Sequence, residues 1–383
     1  MALEIKNKKE KLRVGAYVVF DSTFGAYKLF ELMYACPEKY IAKIVIIPDI
    51  ARGCVHQREQ YQATKAFFVK KYGKDNVLDG FDESENKFID YSEAFDIIYL
   101  ANPYDSMVNL VHGIRYLCTK NCLPVYISYA CMPDKYSCDI LIPLLEISLF
   151  WKVFADNQHS YKDYKKYELF HGKNVILSGY AKMDSLINFI EKPRLRKSIV
   201  IAPHHTINNS ALPLSNFLKY YDFFLRLPIL FPEIDFIFRP HPLLFINMIN
   251  EGYWTQGQVS EYLDNMKKRG VVYSGGGDYL DIFVNSDAII HDCSSFIVEY
   301  LYTKKPCCFM MKKENKNVFS SLGKECLKNY YLAYSEENII SFIQDVVIDG
   351  VDSLKSLRER YAKDYLMENY PNVSEKILEE ITL

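Results

Sequence analysis

Short β-branched runs alternate with amphipathic stretches along the chain. In the first half, Arg13 to Phe20, Ile41 to Ile47, Asp96 to Leu100, Val125 to Ser128 and Val175 to Leu177 read as buried strands. Between them, Tyr27 to Tyr34, Arg58 to Lys71 and Ser106 to Cys118 carry apolar residues at helical spacing. The second half repeats the pattern with sharper punctuation. Ser198 to Ala202 stops at Pro203, Asp235 to Phe238 leads into Arg239-Pro240-His241-Pro242, and Val271 to Tyr273 ends before Ser274 and the glycines 275 to 277. Ala288 to Ile290 leads into His291-Asp292-Cys293-Ser294-Ser295, and Cys307 to Met311 closes the series. Asn216 to Leu225, Tyr279 to Val284 and Ser295 to Tyr302 have helical patterns, as do Ile339 to Val347 and Leu354 to Tyr365 near the end.

Such alternation predicts an α/β fold of two doubly wound parallel sheets with helices on both faces. The basic stretch Lys192 to Lys197 is the expected boundary, dividing the chain into domains 1–192 and 193–335, with C-terminal helices over 336–383 packing across both. A length of 383 residues agrees with two domains. In open α/β sheets of this kind, ligands bind in the crevice beyond the carboxyl ends of the strands, so the chemistry is expected in the turns just named.

Composition narrows the choice of partner. The 46 basic residues against 48 acidic ones leave a formal charge of −2, which argues against a nucleic-acid binder. Ten cysteines form no CxxC pair and no ligand-spaced cluster with histidine, so they read as reduced core residues rather than a zinc site or disulfide framework. The polar start, Met1 to Arg13, runs into an apolar strand and not a cleavable leader, and the longest apolar stretch, Ile140 to Trp151, is too short to span a bilayer. The expected location is cytoplasmic. Aromatic residues reach 15%, which reads chiefly as general composition, with stacking on a ligand base open at one or two positions.

Four of the eight histidines fall just after expected strands: His204, His205, His241 and His291. Arg239 offers a planar fork of donors and His241 a titratable ring, a combination suited to a phosphate. Ser294 and Ser295 stand where a helix begins, so hydroxyls and free N–H groups converge with the positive end of its dipole. Glu299, one turn on, is placed to accept hydrogen bonds from ribose hydroxyls. Ser274 and Gly275 form a further turn that lets a ligand approach the backbone closely. No DxD triplet, Walker spacing or GxGxxG occurs, so neither a metal nor a cofactor is expected, and charge stabilisation falls to Arg, His, Ser and helix N-termini.

Together these segments resemble the CDP-glycerol glycerophosphotransferases, bacterial enzymes of teichoic-acid and capsule assembly. The resemblance runs through Gly179 to Asp184 (GYAKMD), Ile201 to Thr206 (IAPHHT), Arg239 to Pro242 (RPHP) and Asp287 to Pro306 (DAIIHDCSSFIVEYLYTKKP). It implies a GT-B fold, with the acceptor on the first Rossmann-like domain and a nucleotide-activated donor on the second. His241 would contact the donor diphosphate, Ser294 and Ser295 would hold phosphates, Asp292 would support their turn, and Glu299 would bind ribose. The implied acceptor is a saccharide or lipid-linked hydroxyl, which brings in peripheral contact with the inner membrane through Lys6 to Arg13 and Tyr161 to Tyr167. The family's first-domain histidine, in a WHGTPxK segment, is replaced by Ala130 within Tyr129 to Lys135 (YACMPDK), so His204 or His205 is expected to take over some of its work. The competing expectations are a glycosyltransferase using a nucleotide sugar for capsule or lipopolysaccharide, and a nucleotide-binding protein without turnover.

Overall fold

In the computed structural model, residues 10–275 and 279–382 are described. Gly276 and Gly277 of the glycine run and Lys6 to Lys9 of the basic N-terminal stretch lie outside them. The chain folds into two compact units. Unit 1 holds residues up to Ala130, 140–185 and those from Met367 on, and unit 2 holds Cys131–Asp139 and Leu186–Leu366.

Unit 1 is built on a seven-stranded sheet. Its strands are β1 (Leu12–Val18), β2 (Tyr40–Ile46), β3 (Val77–Asp79), β6 (Ile97–Leu100), β7 (Leu123–Ile127), β8 (Lys152–Ala155) and β9 (Val175–Leu177), in the order β3-β2-β1-β6-β7-β8-β9. A two-residue hairpin, β4 (Phe81–Asp82) and β5 (Lys87–Phe88), stands apart. Every pairing within the large sheet is parallel. Parallel strands are covered on both faces, which explains why β6 is buried at all four positions and reads as a continuous apolar run.

Helices cover this sheet where apolar residues recur at helical spacing. Tyr27–Ala35 buries Leu29, Phe30 and Met33 against it. The single helix expected over Ser106 to Cys118 is instead three short turns, Asp105–Met107, Leu110–His112 and Ile114–Leu117. The cause is local competition for N–H groups. Asp105 accepts from the N–H of Ile114 at 2.7 Å and of Arg115 at 3.0 Å, and Asn109 accepts from Val111, so side chains cap what a continuous helix would bond internally.

The C-terminal residues are fastened to unit 1 by the GYAKMD segment. Asp184 accepts the N–H groups of Val373 and Ser374 at 3.2 and 2.6 Å, at the start of helix Val373–Thr382. Gly179 has φ +96°, and a Cβ there would lie 2.1 Å from the Glu368 carbonyl oxygen. Two of the residues that carry the family resemblance therefore dock the chain end.

Unit 2 has a six-stranded parallel sheet: β10 (Lys197–Ala202), β11 (Ile234–Phe238), β12 (Val272–Tyr273), β13 (Ala288–His291), β14 (Cys307–Met310) and β15 (Tyr331–Ala333). Their order is β12-β11-β10-β13-β14-β15. Helix Phe217–Leu230 places Phe217, Tyr220, Phe223, Phe224 and Leu227 in the core beside Ile199, Ile201, Phe236 and Phe238. Segment 131–139 joins this unit through Pro133, whose carbonyl accepts the N–H of Ser320 at 2.9 Å. Gly323 permits the approach, since a Cβ there would lie 2.0 Å from the same oxygen.

Among the described residues no helix is long and apolar enough to cross a membrane. The nine cysteines with described side chains lie outside any disulfide, and Cys122, Cys131, Cys293, Cys307, Cys308 and Cys326 are buried.

Candidate functional site

The chain leaves β10 in one direction to build β11 and β12, then returns to the other side of β10 to build β13, β14 and β15. The switch point of unit 2 therefore lies between β10 and β13, where ligands bind in open α/β sheets. Because β11, β10 and β13 are parallel neighbours, their carboxyl ends bring the turns after Ala202, Phe238 and His291 to one edge. Backbone bonds tie these turns together: His241 N–H donates to the Pro203 carbonyl at 3.0 Å, and Arg239 N–H to Ile201 at 2.8 Å.

Three histidines meet there. The ring centroids of His204 and His205 are 4.4 Å apart, those of His205 and His241 4.1 Å, and those of His204 and His241 5.3 Å. One ring nitrogen from each lies within 4.8 Å of those of the other two, close enough to hold a metal ion if their lone pairs faced it. Burial disfavours the imidazolium in all three. It brings His205 down to about 4. It brings His241, which also faces His205, to about 3. His204 lies well below the usual histidine range, through burial first and the neighbouring rings second. All three are neutral at pH 7.

Asp292 holds the turns in register. It is fully buried and accepts the His204 N–H at 2.6 Å through Oδ1, and the backbone and side-chain N–H of Asn216 at 2.5 and 3.1 Å through Oδ2. Burial raises its pKa to about 6 against these three donors, which act to lower it.

Ser294 donates to Asp134 Oδ2, so Asp134 of the segment YACMPDK reaches the β13 turn. Asp134 is itself buried and accepts the Ser137 N–H at 2.8 Å. Ser295 is half-buried and precedes the short helix Phe296–Glu299, with no side-chain capping bond of its own.

On the β11 side, Arg239 donates to the Ser274 hydroxyl at 2.7 Å, and its guanidinium lies 5.4 Å from the centre of the Tyr279 ring. The Tyr279 hydroxyl donates to Glu299, a carboxylate with no solvent exposure. Gly275 is exposed, and a Cβ there would run into the Tyr273 ring. Arg239, Ser274 and Glu299 are thus joined through Tyr279, a residue that no motif singled out.

His291 does not join the other histidines. As the last residue of β13 it is fully buried, with ring centroids 5.3 Å from Phe309 and 5.4 Å from Tyr330. Neither of its ring nitrogens makes a well-formed hydrogen bond, and burial depresses its pKa to about 3. It packs the core under the site.

Comparison of the sequence with family models and with curated proteins finds no match. Solved structures do match. The UDP-GlcNAc 2-epimerase of Neisseria meningitidis bound to UDP-GlcNAc aligns over 97% of this chain and 99% of its own, with TM-score 0.59 and 13% identity. The S. aureus MnaA–UDP structure aligns over 97% and 96%, with TM-score 0.57 and 11% identity. The wall teichoic acid polymerase TagF aligns over 98% and 89%, with TM-score 0.60 and 13% identity. At such identities the likeness speaks for the fold: two doubly wound α/β units of the GT-B type.

Proposed function

We propose that the chain is a transferase of bacterial cell-surface polymer assembly. It moves glycerol phosphate, or a similar polyol phosphate, from a CDP-linked donor to a saccharide or lipid-linked hydroxyl. The observation that carries this reading is the gathering of His204, His205 and His241 at the switch point of unit 2, beside a turn that Asp292 holds and that presents Ser294 and Ser295. The fold shared with a teichoic acid polymerase and with proteins solved with UDP or UDP-GlcNAc supports a nucleotide-activated donor.

In this reading the three rings take the donor diphosphate, Ser295 and the Gly275 backbone contribute further donors, and Ser294, whose hydroxyl proton goes to Asp134, holds the turn that faces the phosphates. Arg239 fixes Ser274, and Glu299 takes the ribose. Attack on the phosphorus beside glycerol releases CMP, a leaving group stable as an anion at neutral pH, so its departure needs hydrogen-bond stabilisation more than a proton. A histidine with pKa near 4 is a weak base at pH 7, so His205 is assigned to the diphosphate and not to the acceptor proton. The acceptor oxygen forms its bond to phosphorus as the bond to CMP breaks and its proton passes to water, so alignment of the acceptor and stabilisation of the departing charge carry the reaction with Ala130 in place of the family's base.

The test is a thermal-shift panel of CDP-glycerol, CDP-ribitol, CMP-sugars, UDP-sugars and GDP-sugars, followed by product analysis with the stabilising donor. Stabilisation by a CDP-polyol with release of CMP is the expected result. Stabilisation and turnover of a sugar nucleotide would replace this reading with a glycosyltransferase. Tight binding without turnover on any acceptor would leave a nucleotide-binding protein.

A further inference from the structure

The histidine cluster has the wrong groups behind it for a metal site. A histidine that ligates a metal through one nitrogen carries its proton on the other and donates it to a carboxylate, carbonyl or water. Here each Nδ1 faces a donor. The Leu243 N–H points to His241 Nδ1 at 3.1 Å. Asn247 Nδ2 lies 3.1 Å from His205 Nδ1 and 3.1 Å from the His205 carbonyl oxygen. That oxygen only accepts, so the amide edge facing both is the NH2, and it gives a hydrogen to the ring. The Thr206 N–H donates to His204 Nδ1 at 3.4 Å, which makes that nitrogen the acceptor and leaves the Thr206 hydroxyl, 2.8 Å from it, to give it a second hydrogen. A neutral imidazole that accepts at Nδ1 carries its hydrogen at Nε2.

We propose that His204, His205 and His241 form a neutral oxyanion site, in which three Nε2–H groups donate to one phosphate of a nucleoside diphosphate, with Thr206, Asn247 and the Leu243 backbone fixing the tautomers. This rests on the donor reading above and adds how the diphosphate is recognised. A divalent cation entering the cluster would meet three hydrogens where it needs lone pairs. A phosphate oxygen meets three donors already oriented, with no proton to acquire. Thr206, Asn247 and Leu243 touch the rings from behind, so they are positioning groups.

Two probes separate the possibilities on the full chain: inorganic pyrophosphate alone and zinc ion alone. Histidine ring 15N correlation spectra of the ligand-free protein at pH 7.5 are expected to show the Nε2–H tautomer for all three rings. Pyrophosphate should bind, with each of His205→Ala and His241→Ala weakening it about tenfold, the loss expected for one hydrogen bond to a charged group. Asn247→Asp puts an acceptor behind His205 and should turn that ring to the Nδ1–H tautomer, weakening pyrophosphate about tenfold while His241 keeps its tautomer. If that variant fails to fold, the spectrum of the unaltered protein still decides. Nδ1–H tautomers at two of the rings, or stoichiometric zinc binding abolished by His241→Ala, would overturn the proposal. Pyrophosphate binding with these tautomers, but no binding of any CDP- or UDP-linked donor, would uphold the anion site and remove the transferase reading. Donor turnover with reversed tautomers would do the opposite.

Discussion

The Asp292 carboxylate accepts the backbone N–H of His204 at 2.6 Å, across 88 residues of chain. This bond sets the start of the turn that carries two of the three clustered rings, while the other carboxylate oxygen fixes Asn216. Asp292→Asn keeps the shape but places an NH2 group where an N–H already points. The expected cost is about 1–3 kcal/mol, the price of leaving a buried donor unpaired. Urea unfolding at pH 7 measures it, and pyrophosphate affinity should fall in the same variant because His204 loses its anchor.

His241→Ala and His205→Ala should each reduce turnover of the true donor at least ~100-fold, the usual scale for removing a donor aimed at developing charge. Both rings are only partly buried, so the melting temperature should move little. His291→Phe is the comparison. It replaces a buried ring with unbonded nitrogens by an apolar one of similar size, so turnover should survive. Steady-state kinetics on the three variants, with melting curves alongside, separates the site from the core beneath it.

Most of the sheet framework was legible because buried parallel strands read as β-branched runs: β1, β2, β6, β7, β9 and β10 to β14 stand where the pattern puts them. Strands β3, β8 and β15 were not: runs of three or four residues carry little periodic signal, and β9 and β12 were read although they are no longer than these. The same limit applies to the site. His204, His205 and His241 could be read as a cluster because each follows a strand end, whereas His291 looks identical in sequence and differs only in being the last residue of its strand, with its ring turned into the core. Thr206, Asn247 and Tyr279 carry no motif. Asn247 stands six residues beyond His241, in helix Leu244–Asn250, and only the folded turn shows that its amide returns to His205. Asp134 reaches Ser294 across 160 residues, a pairing that spacing cannot reveal.

Acid should destabilise the fold steeply between pH 6.5 and 4. His204, His205, His241 and His291 are all depressed by burial, three of them to about 3 or 4, so the unfolded chain binds more protons than the folded one as pH falls below 6.5. Their contribution is present above pH 6.5 and lost on the way down to pH 3 to 4. Asp292, raised to about 6, works the other way, favouring the folded state below pH 4 and losing that contribution as pH rises through 6. Asp184, also raised to about 6 by burial, adds to Asp292, and His112, depressed by burial, adds to the histidines, so five rings oppose the two carboxyls raised furthest. His291 is fully buried, and its shift corresponds to several kcal/mol at most, about 1.4 kcal/mol per unit. His291→Phe should therefore flatten the fall in urea midpoint between pH 6.5 and 4.5, and an unchanged slope would show that the ring gains its proton without unfolding.

Glu299 decides between a ribose contact and a structural one. Its carboxylate has no solvent exposure and takes the Tyr279 hydroxyl, whose ring packs 5.0 Å from Phe283 and 4.8 Å from Phe296. Pyrophosphate has no ribose, which makes it the control ligand. Glu299→Gln keeps the size of the side chain and, if the carboxylate binds ribose, should weaken CMP or UDP about tenfold while leaving pyrophosphate affinity unchanged. If the carboxylate only braces the Phe296–Glu299 helix through Tyr279, then Glu299→Gln and Tyr279→Phe should lower stability together, by about 1–3 kcal/mol each, and weaken nucleotide and pyrophosphate in equal proportion. Calorimetric titration of the two ligands into both variants gives the ratio, and a ratio equal to that of the unaltered protein would remove ribose recognition from Glu299.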